Sequence, residues 1–201
     1  MRIGVIGWGS LIWDPRDLAI EDDWHVDGPM LPIELARVSS HNRLTLVLVD
    51  SVPLQPTLWA LSRKSTLAEA IKNLAKREGT SDDNIGGWSS TDASSEPEHR
   101  VVSIMATWAR QRKLDGVFWT ALGPKKPNGE NGLATEDELI EYLLGLVKRR
   151  EAAAARQYIE KAPSQIKTHL RTRIQREIGW SHARQRSTDL QDFLKKLHLE
   201  F

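Results

Sequence analysis

Short apolar segments separated by polar turns predict strands in the first third of the chain. They cover residues 2–8, 31–38, 43–50 and 57–62. The clearest is RLTLVLVD at 43–50, where Leu44, Leu46 and Leu48 alternate with their neighbours as residues of a half-buried strand do. Pro53 and Pro56 separate it from the segment that follows.

The next segment changes to a helical period. In STLAEAIKNLAKREG, residues 65–79, the apolar residues recur at the spacing of one helix face. Ser65 or Thr66 would cap the start of this helix, and Gly79 would end it.

Loops and two further strands are predicted in the middle of the chain. The polar residues 80–98 predict a long mobile loop, and residues 123–132 predict a second loop. Between them, RVVSIMATWA from Arg100 and GVFWTAL from Gly116 predict strands.

From Thr135 onwards the pattern is helical. Thr135 and Glu138 fit a capping box, and the helix they begin is expected to run to Pro163. A second helical stretch is predicted at 164–179 and a third at 187–199. Strands with one early helix, followed by helices, indicate an α+β fold rather than a regular alternation of strand and helix.

The composition is that of a globular protein and excludes several kinds of chemistry. Of 201 residues, 40% are apolar and 27% are charged, and the net charge of +1 argues against strong attraction to nucleic acid or to a membrane. The absence of cysteine excludes disulfides, zinc–thiolate sites and a cysteine nucleophile. The six histidines show no metal-binding spacing, so no metal is expected. The apolar run after Arg2 is too short for a signal peptide or a membrane span, so a cytoplasmic location is the default expectation.

Residues 148–186 concentrate positive charge, with eleven Lys and Arg residues against three Glu residues. Such a surface could bind nucleic acid, or it could be the solvated side of helices that pack on the domain or form an oligomer contact. Aromatic residues that would stack on bases are sparse, because the segment contains only Tyr158 and Trp180. We therefore expect no nucleic-acid partner, and a homo-oligomer stays open.

Three glycines, Gly4, Gly7 and Gly9, mark the first predicted strand and its end. A dinucleotide-binding turn would need another glycine where this chain has Ile12, and the helix after it would meet Pro15. A phosphate-binding loop is excluded because no Gly-Lys-Ser/Thr sequence occurs. Two interpretations remain: a turn whose bare N–H groups bind an anion, or a plain structural turn.

Two motifs, in order, carry a family resemblance. GWGSLIWDP at 7–15 resembles the Gly-Tyr-Gly-Ser-Leu signature of the gamma-glutamylcyclotransferase-like proteins, and its wording is nearest to the ChaC-type branch. Further on, TLWALS leads into LAEAIKNLAKREG, which puts Glu78 where the family keeps its catalytic glutamate. The resemblance extends from residue 2 to about residue 80, is weak through the next strands, and is absent from the C-terminal third. Trp8 stands where the signature has tyrosine, so the tyrosine hydroxyl is missing there.

This resemblance implies a fold and an activity. The fold would be a small mixed β-barrel with flanking helices over residues 1–133, and residues 134–201 would form a helical C-terminal extension packed on the same domain. The activity would be cleavage of a γ-glutamyl amine, amino acid or peptide by attack of the substrate's own α-amino group. That reaction releases 5-oxoproline and uses neither a metal nor an organic cofactor.

For that reaction the resemblance makes Glu78 the general acid/base, a role suited to a carboxyl whose pKa is raised in a partly apolar pocket. Backbone N–H groups of Gly9, Ser10 and Leu11 would bind an oxyanion or a carboxylate. Trp8 would form part of the pocket wall. Further candidate walls are Trp13, Trp59 and Trp88.

Arg37 has two interpretations. Its guanidinium could clamp the α-carboxylate of the substrate with two hydrogen bonds. The plainer interpretation is a surface ion pair with Glu34 or Asp50.

A non-catalytic alternative follows from Trp8. Because the signature tyrosine is replaced, the chain could be a small-molecule binding or regulatory module on the same fold. A Glu78 side chain far from the backbone of residues 9–11 would favour that alternative.

Overall fold

The computed structural model describes residues 1–21, 23–91 and 99–181. In this part of the chain the fold is α+β, with two β-sheets and five α-helices. The strands are β1 (Ile3–Gly7), β2 (Met30–Ser39), β3 (Arg43–Leu48), β4 (Leu54–Pro56), β5 (Leu58–Leu61), β6 (Ile85–Ser89) and β7 (Gly116–Thr120). The helices are α1 (Leu67–Glu78), α2 (Arg100–Gln111), α3 (Glu136–Arg149), α4 (Ala153–Lys161) and α5 (His169–Ile178). The strands predicted in the first third of the chain are therefore confirmed, with ends that differ by a few residues.

The strands form two open sheets. One has the order β5-β1-β7-β6, in which β1 and β7 are parallel and the other neighbours are antiparallel. The other is antiparallel, with the order β3-β2-β4. The strands of the described residues do not close into a barrel, so the expected barrel is wrong.

Side chains occupy the outer edge of β3, where a barrel would add a strand. The N–H of Leu46 donates a hydrogen bond to the Tyr158 hydroxyl, and the Leu46 carbonyl accepts one from the Trp8 indole. Because buried peptide groups need partners, these two aromatic side chains do at this edge what a neighbouring strand would otherwise do.

The four-stranded sheet separates two apolar clusters. Ile3 and Val5 of β1 lie in the cluster that contains Leu74 of α1, whereas Ile6 lies in the cluster that contains Met105 of α2. Successive residues of a strand point to opposite faces, so β1 contributes to both clusters. This arrangement brings the C-terminal end of α1 beside the turn that leaves β1.

The segment RVVSIMATWA is a helix, so the predicted strand is wrong. Val101, Met105 and Ala109 of α2 are buried at four-residue spacing, which is the period of a helix face. The paired valines at its start favour a strand locally, but burial along one side of the helix outweighs that preference.

The predicted loop at 80–98 is wrong in its first half, where β6 pairs with β7. A Cβ on Gly86 would lie 2.3 Å from the Trp119 ring, so this strand position needs glycine for close packing rather than for a turn. Residues 92–98 lie outside the described residues.

The capping box of Thr135 and Glu138 is confirmed, but the continuous helix up to Pro163 is wrong. Arg150 adopts a left-handed conformation with φ 62°, which ends α3 and allows α4 to start in a new direction. The second predicted stretch contains α5, and the third, at 187–199, lies outside the described residues.

Helices α3 to α5 pack on the rest of the fold. Leu143, Ile159 and Leu170 belong to the same buried cluster as Leu35 and Leu44 of the three-stranded sheet. Among the described helices, none combines the length and apolar character that crossing a bilayer requires.

Candidate functional site

A cleft of about 340 Å³ lies between the turn after β1, the end of α1, the β2–β3 pair and α4. It brings together six candidate site residues of the sequence, although the sequence separates the first from the last by seventy positions. Those residues are Trp8, Gly9, Ser10, Leu11, Arg37 and Glu78.

The turn after β1 lines the cleft and contains backbone N–H groups without protein acceptors among the described residues. It is closed by hydrogen bonds from the Ile12 N–H to the Gly9 carbonyl and from the Asp14 N–H to the Ser10 carbonyl. Within the described residues, the N–H groups of Gly9, Ser10 and Leu11 donate to no protein acceptor. Such consecutive donors attract an anion or a polarised carbonyl oxygen.

Glu78 is the last residue of α1, and the cap geometry of the helix holds it at the cleft. Thr66 caps the start of the helix by accepting a hydrogen bond from the Glu69 N–H, and Gly79 ends it in a left-handed conformation with φ 67°. The Glu78 side chain is 18% exposed, so it is partly buried and still accessible from the cleft. The Thr120 hydroxyl approaches its Oε1 at 3.5 Å.

Arg77 links the two sequence motifs. Its buried guanidinium donates to the Ser10 Oγ at 3.2 Å, to the Asp14 carbonyl, and to the Glu78 Oε1 at 2.7 Å. One nitrogen, Nη1, contacts both the Ser10 hydroxyl and the Glu78 carboxylate, so the turn and the carboxylate lie side by side. Ser10 and Glu78 line the cleft, and Arg77 is buried next to them. We call these three residues the acidic wall.

Sequence reasoning did not assign Arg77 to the site and missed its contacts with the turn. The signal that could have found it is a cation buried in an otherwise apolar position of the α1 pattern. Buried arginine needs several acceptors, and a turn with free carbonyl groups can supply them.

Three further lining residues are cations, Arg37, Arg43 and Lys125, and we call them the basic wall. A shift in the β2–β3 register between Leu35 and Arg37 forms a bulge, and Arg37 and Lys125 meet there in a β-bridge. The guanidinium of Arg37 donates to the Gly123 carbonyl at 2.8 Å. Burial lowers the pKa of Arg37, although an arginine remains charged near neutral pH.

Among the described residues, none of these three cations has an acidic partner within ion-pair distance. The surface ion pair of Arg37 with Glu34 or Asp50, the plainer of its two interpretations, is therefore absent from the described part of the chain. The Glu34 carboxylate instead accepts hydrogen bonds from the N–H groups of Leu35 and Leu170.

Tyr158 of α4 is a lining residue that sequence reasoning did not assign to the site. Its spacing with Ala155 and Ile159 is that of an ordinary core face, so the sequence offers no signal for it. The hydroxyl accepts the Leu46 N–H at 3.2 Å. Burial raises the pKa of this phenol above its usual value, and the nearby Glu78 carboxylate raises it further.

Of the four tryptophans predicted as possible pocket walls, one lines the cleft and three do not. Trp8 lines it, with its indole anchored to β3. Trp13 packs edge-on behind Tyr158, Trp59 donates to Asp27, and Trp88 lies beneath the Arg110 guanidinium. The expectation that any of these three forms a wall of this pocket is wrong.

Some of the cations in the basic C-terminal segment are paired where the structure describes it. Arg149, Arg156 and Arg173 are paired with acidic side chains. Buried Arg171 donates to backbone carbonyls, including those of Pro163 and Ile159. This pairing is typical of solvated and packed helix faces rather than of a nucleic-acid surface. Arg184 and Arg186 lie outside the described residues.

No cation-binding cluster of three or more His, Asp or Glu side chains occurs in the described ranges. The cleft instead combines backbone donors, one carboxylate and three cations. Comparisons of the chain with protein-family models, with curated proteins and with solved structures found no match.

Proposed function

We propose that this protein is a gamma-glutamylcyclotransferase-like enzyme that releases 5-oxoproline from γ-glutamyl compounds. The observation that carries the proposal is the cleft in which the Gly9–Leu11 turn and Glu78 stand together, joined by Arg77. The two motifs of the resemblance are remote in sequence, and a shared cleft is what a joint role in one reaction requires.

The reaction requires little from the protein beyond positioning the substrate and transferring protons. The α-amino group of the substrate attacks its own γ-carbonyl carbon, so a five-membered lactam forms as the bond to the leaving amine breaks. Because the nucleophile is tethered, the substrate itself supplies a high effective concentration. Glu78 takes a proton from the α-ammonium group and delivers it to the departing nitrogen.

The remaining groups fit a folded γ-glutamyl chain. The free N–H groups of Gly9, Ser10 and Leu11 would bind the γ-carbonyl oxygen as negative charge develops on it. Arg37, on the basic wall, would bind the α-carboxylate. These two contacts hold the ends of the glutamyl group while the amine approaches the carbonyl carbon.

The test is to incubate the protein with γ-glutamyl amines, amino acids and peptides and to measure 5-oxoproline and the free amine. We expect both products in equal amounts from at least one class. We expect Glu78→Gln to lower kcat by at least about 100-fold, since it removes the proton-transfer group.

Glu69→Gln is the matched control, because Glu69 lies on the same helix and is exposed. It should keep the turnover of the unmodified protein. Absence of 5-oxoproline with every substrate class, or full activity of Glu78→Gln, would refute the proposed reaction.

The second candidate is a binding module without catalysis, and two contacts favour it. Arg77 and Thr120 already engage the Glu78 Oε1, which suits a carboxylate that serves only as a hydrogen-bond acceptor. Calorimetric binding of γ-glutamyl compounds without release of 5-oxoproline would support this candidate over the enzyme.

A further inference from the structure

The Tyr158 hydroxyl is a buried donor without a protein acceptor. The residue is only 6% exposed, yet it lines the cleft, and its hydroxyl oxygen accepts the Leu46 N–H. Among the described residues, no group accepts the hydroxyl proton. A buried donor left without a partner costs free energy, so such a proton is well placed to bond to a ligand.

Gly9 accommodates this hydroxyl. A Cβ on Gly9 would lie 2.5 Å from the Tyr158 oxygen but 3.6 Å from the ring carbon that carries it. Gly9 does not have a positive φ, so the backbone itself does not require glycine here. The close approach of the hydroxyl is therefore what excludes a side chain at this position.

We infer that Tyr158 is a further catalytic residue, whose hydroxyl donates a hydrogen bond to the γ-carbonyl oxygen of the substrate beside the Gly9–Leu11 turn. This inference rests on the proposed function. The O–H bond stays intact throughout, and the hydroxyl stabilises the charge that develops on the carbonyl oxygen. The residue comes from the helical segment that carries no family resemblance, so the site is completed by a part of the chain that the motifs do not cover.

The electrostatic surroundings agree with a donor rather than a base. Burial and the Glu78 carboxylate both raise the pKa of the phenol, so it keeps its proton near neutral pH. Glu78 remains the group that exchanges protons.

The first test is Tyr158→Phe, assayed on a substrate that the unmodified protein turns over. Loss of one donor to a developing oxyanion lowers kcat by about 100- to 1,000-fold, and we expect KM to change by less than about threefold. Tyr142→Phe is the matched control, because Tyr142 is the other tyrosine of the chain and its hydroxyl bonds to Asn42 outside the cleft. That variant should keep its kcat.

Unchanged kcat in Tyr158→Phe would overturn the inference while leaving the proposed function intact. A rise in KM without a fall in kcat would also overturn it, since that result indicates ground-state binding only. An unmodified protein that forms no 5-oxoproline would refute the proposed function, and this inference with it.

A second test addresses the geometry without relying on activity. Gly9→Ala should lower the Tm by several degrees in the unmodified chain, because the new methyl group meets the hydroxyl. In the Tyr158→Phe background the same substitution should lower the Tm much less, since the ring carbon lies at ordinary contact distance. Equal losses in the two backgrounds would show that the hydroxyl does not lie against Gly9 and would overturn the inference.

Discussion

The two walls of the cleft carry opposite charges, but only the acidic wall is balanced within the protein. On the acidic wall, Glu78 is held by Arg77, which is anchored in turn to Ser10 and Asp14. On the basic wall, no described acidic side chain pairs with the three cations. The acidic wall is therefore preorganised before a ligand arrives, whereas the basic wall is free to bind negative charge that the ligand brings.

This difference separates the chemistry from substrate recognition. A carboxylate that moves protons must be held within a fraction of an ångström, and buried hydrogen bonds achieve that. Cations without acidic partners at a half-buried surface cost free energy until an anion binds in the cleft. A ligand with carboxylates at both ends satisfies this wall better than one with a single carboxylate.

Arg77→Met should have the largest effect on stability. It removes the buried partner of Glu78 and leaves the Ser10 hydroxyl and the Asp14 carbonyl without this donor, so we expect a loss of about 3 kcal/mol in the free energy of unfolding. Urea unfolding measures it, with the exposed neighbour Lys76→Met as the control. A loss no larger than that of the control would mean that the acidic wall is not held by this cation.

Arg43→Met tests the basic wall and should mainly affect binding. We expect KM to rise about tenfold for a γ-glutamyl amino acid, whose leaving group carries a carboxylate, because a charge-assisted hydrogen bond is lost. For a γ-glutamyl amine with a neutral leaving group, KM should change little. Arg149→Met, on a surface ion pair away from the cleft, is the control. Equal changes in KM for both substrates would assign Arg43 no part in recognising the leaving group.

In the acidic wall, Ser10 and Glu78 were predicted from the sequence and Arg77 was not; in the basic wall, only Arg37 was predicted. Local patterns predict the capped helix that ends at Gly79 and the strand that ends in glycines, and the family resemblance assigned Glu78 and the glycine turn to the site. Arg43 and Lys125 reach the cleft through the register of β2 with β3 and a bridge to a loop, and these depend on tertiary packing. Tyr158 has the spacing of a core residue, and its place at the cleft beside Gly9 becomes visible only in the tertiary structure.

The same limit explains the errors in the fold. The helix at Arg100–Gln111 contains β-branched residues, and its helical character becomes clear only from the side that it buries. The edge of β3 has no neighbouring strand because two aromatic side chains from distant segments bond to its backbone. No local sequence pattern predicts these contacts.

The smallest predicted effect concerns Glu34, which joins the strand of the basic wall to α5. Burial raises the pKa of this carboxyl above its usual value, so the folded state holds the proton more tightly than the unfolded chain does. The free energy of unfolding should therefore fall as pH rises from the unfolded pKa through the folded one. Glu34→Gln removes this titration and keeps an acceptor for the Leu35 N–H, so its stability relative to the unmodified protein should increase with pH. Urea unfolding at a series of pH values measures it, and parallel pH profiles would contradict the assignment.

The most direct test of the central claim compares binding and turnover by Glu78→Gln on one γ-glutamyl substrate. If the acidic wall supplies the proton transfer, the variant binds the substrate within about threefold of the unmodified protein and loses at least about 100-fold in 5-oxoproline release. Release of 5-oxoproline by the variant at the rate of the unmodified protein would contradict the account.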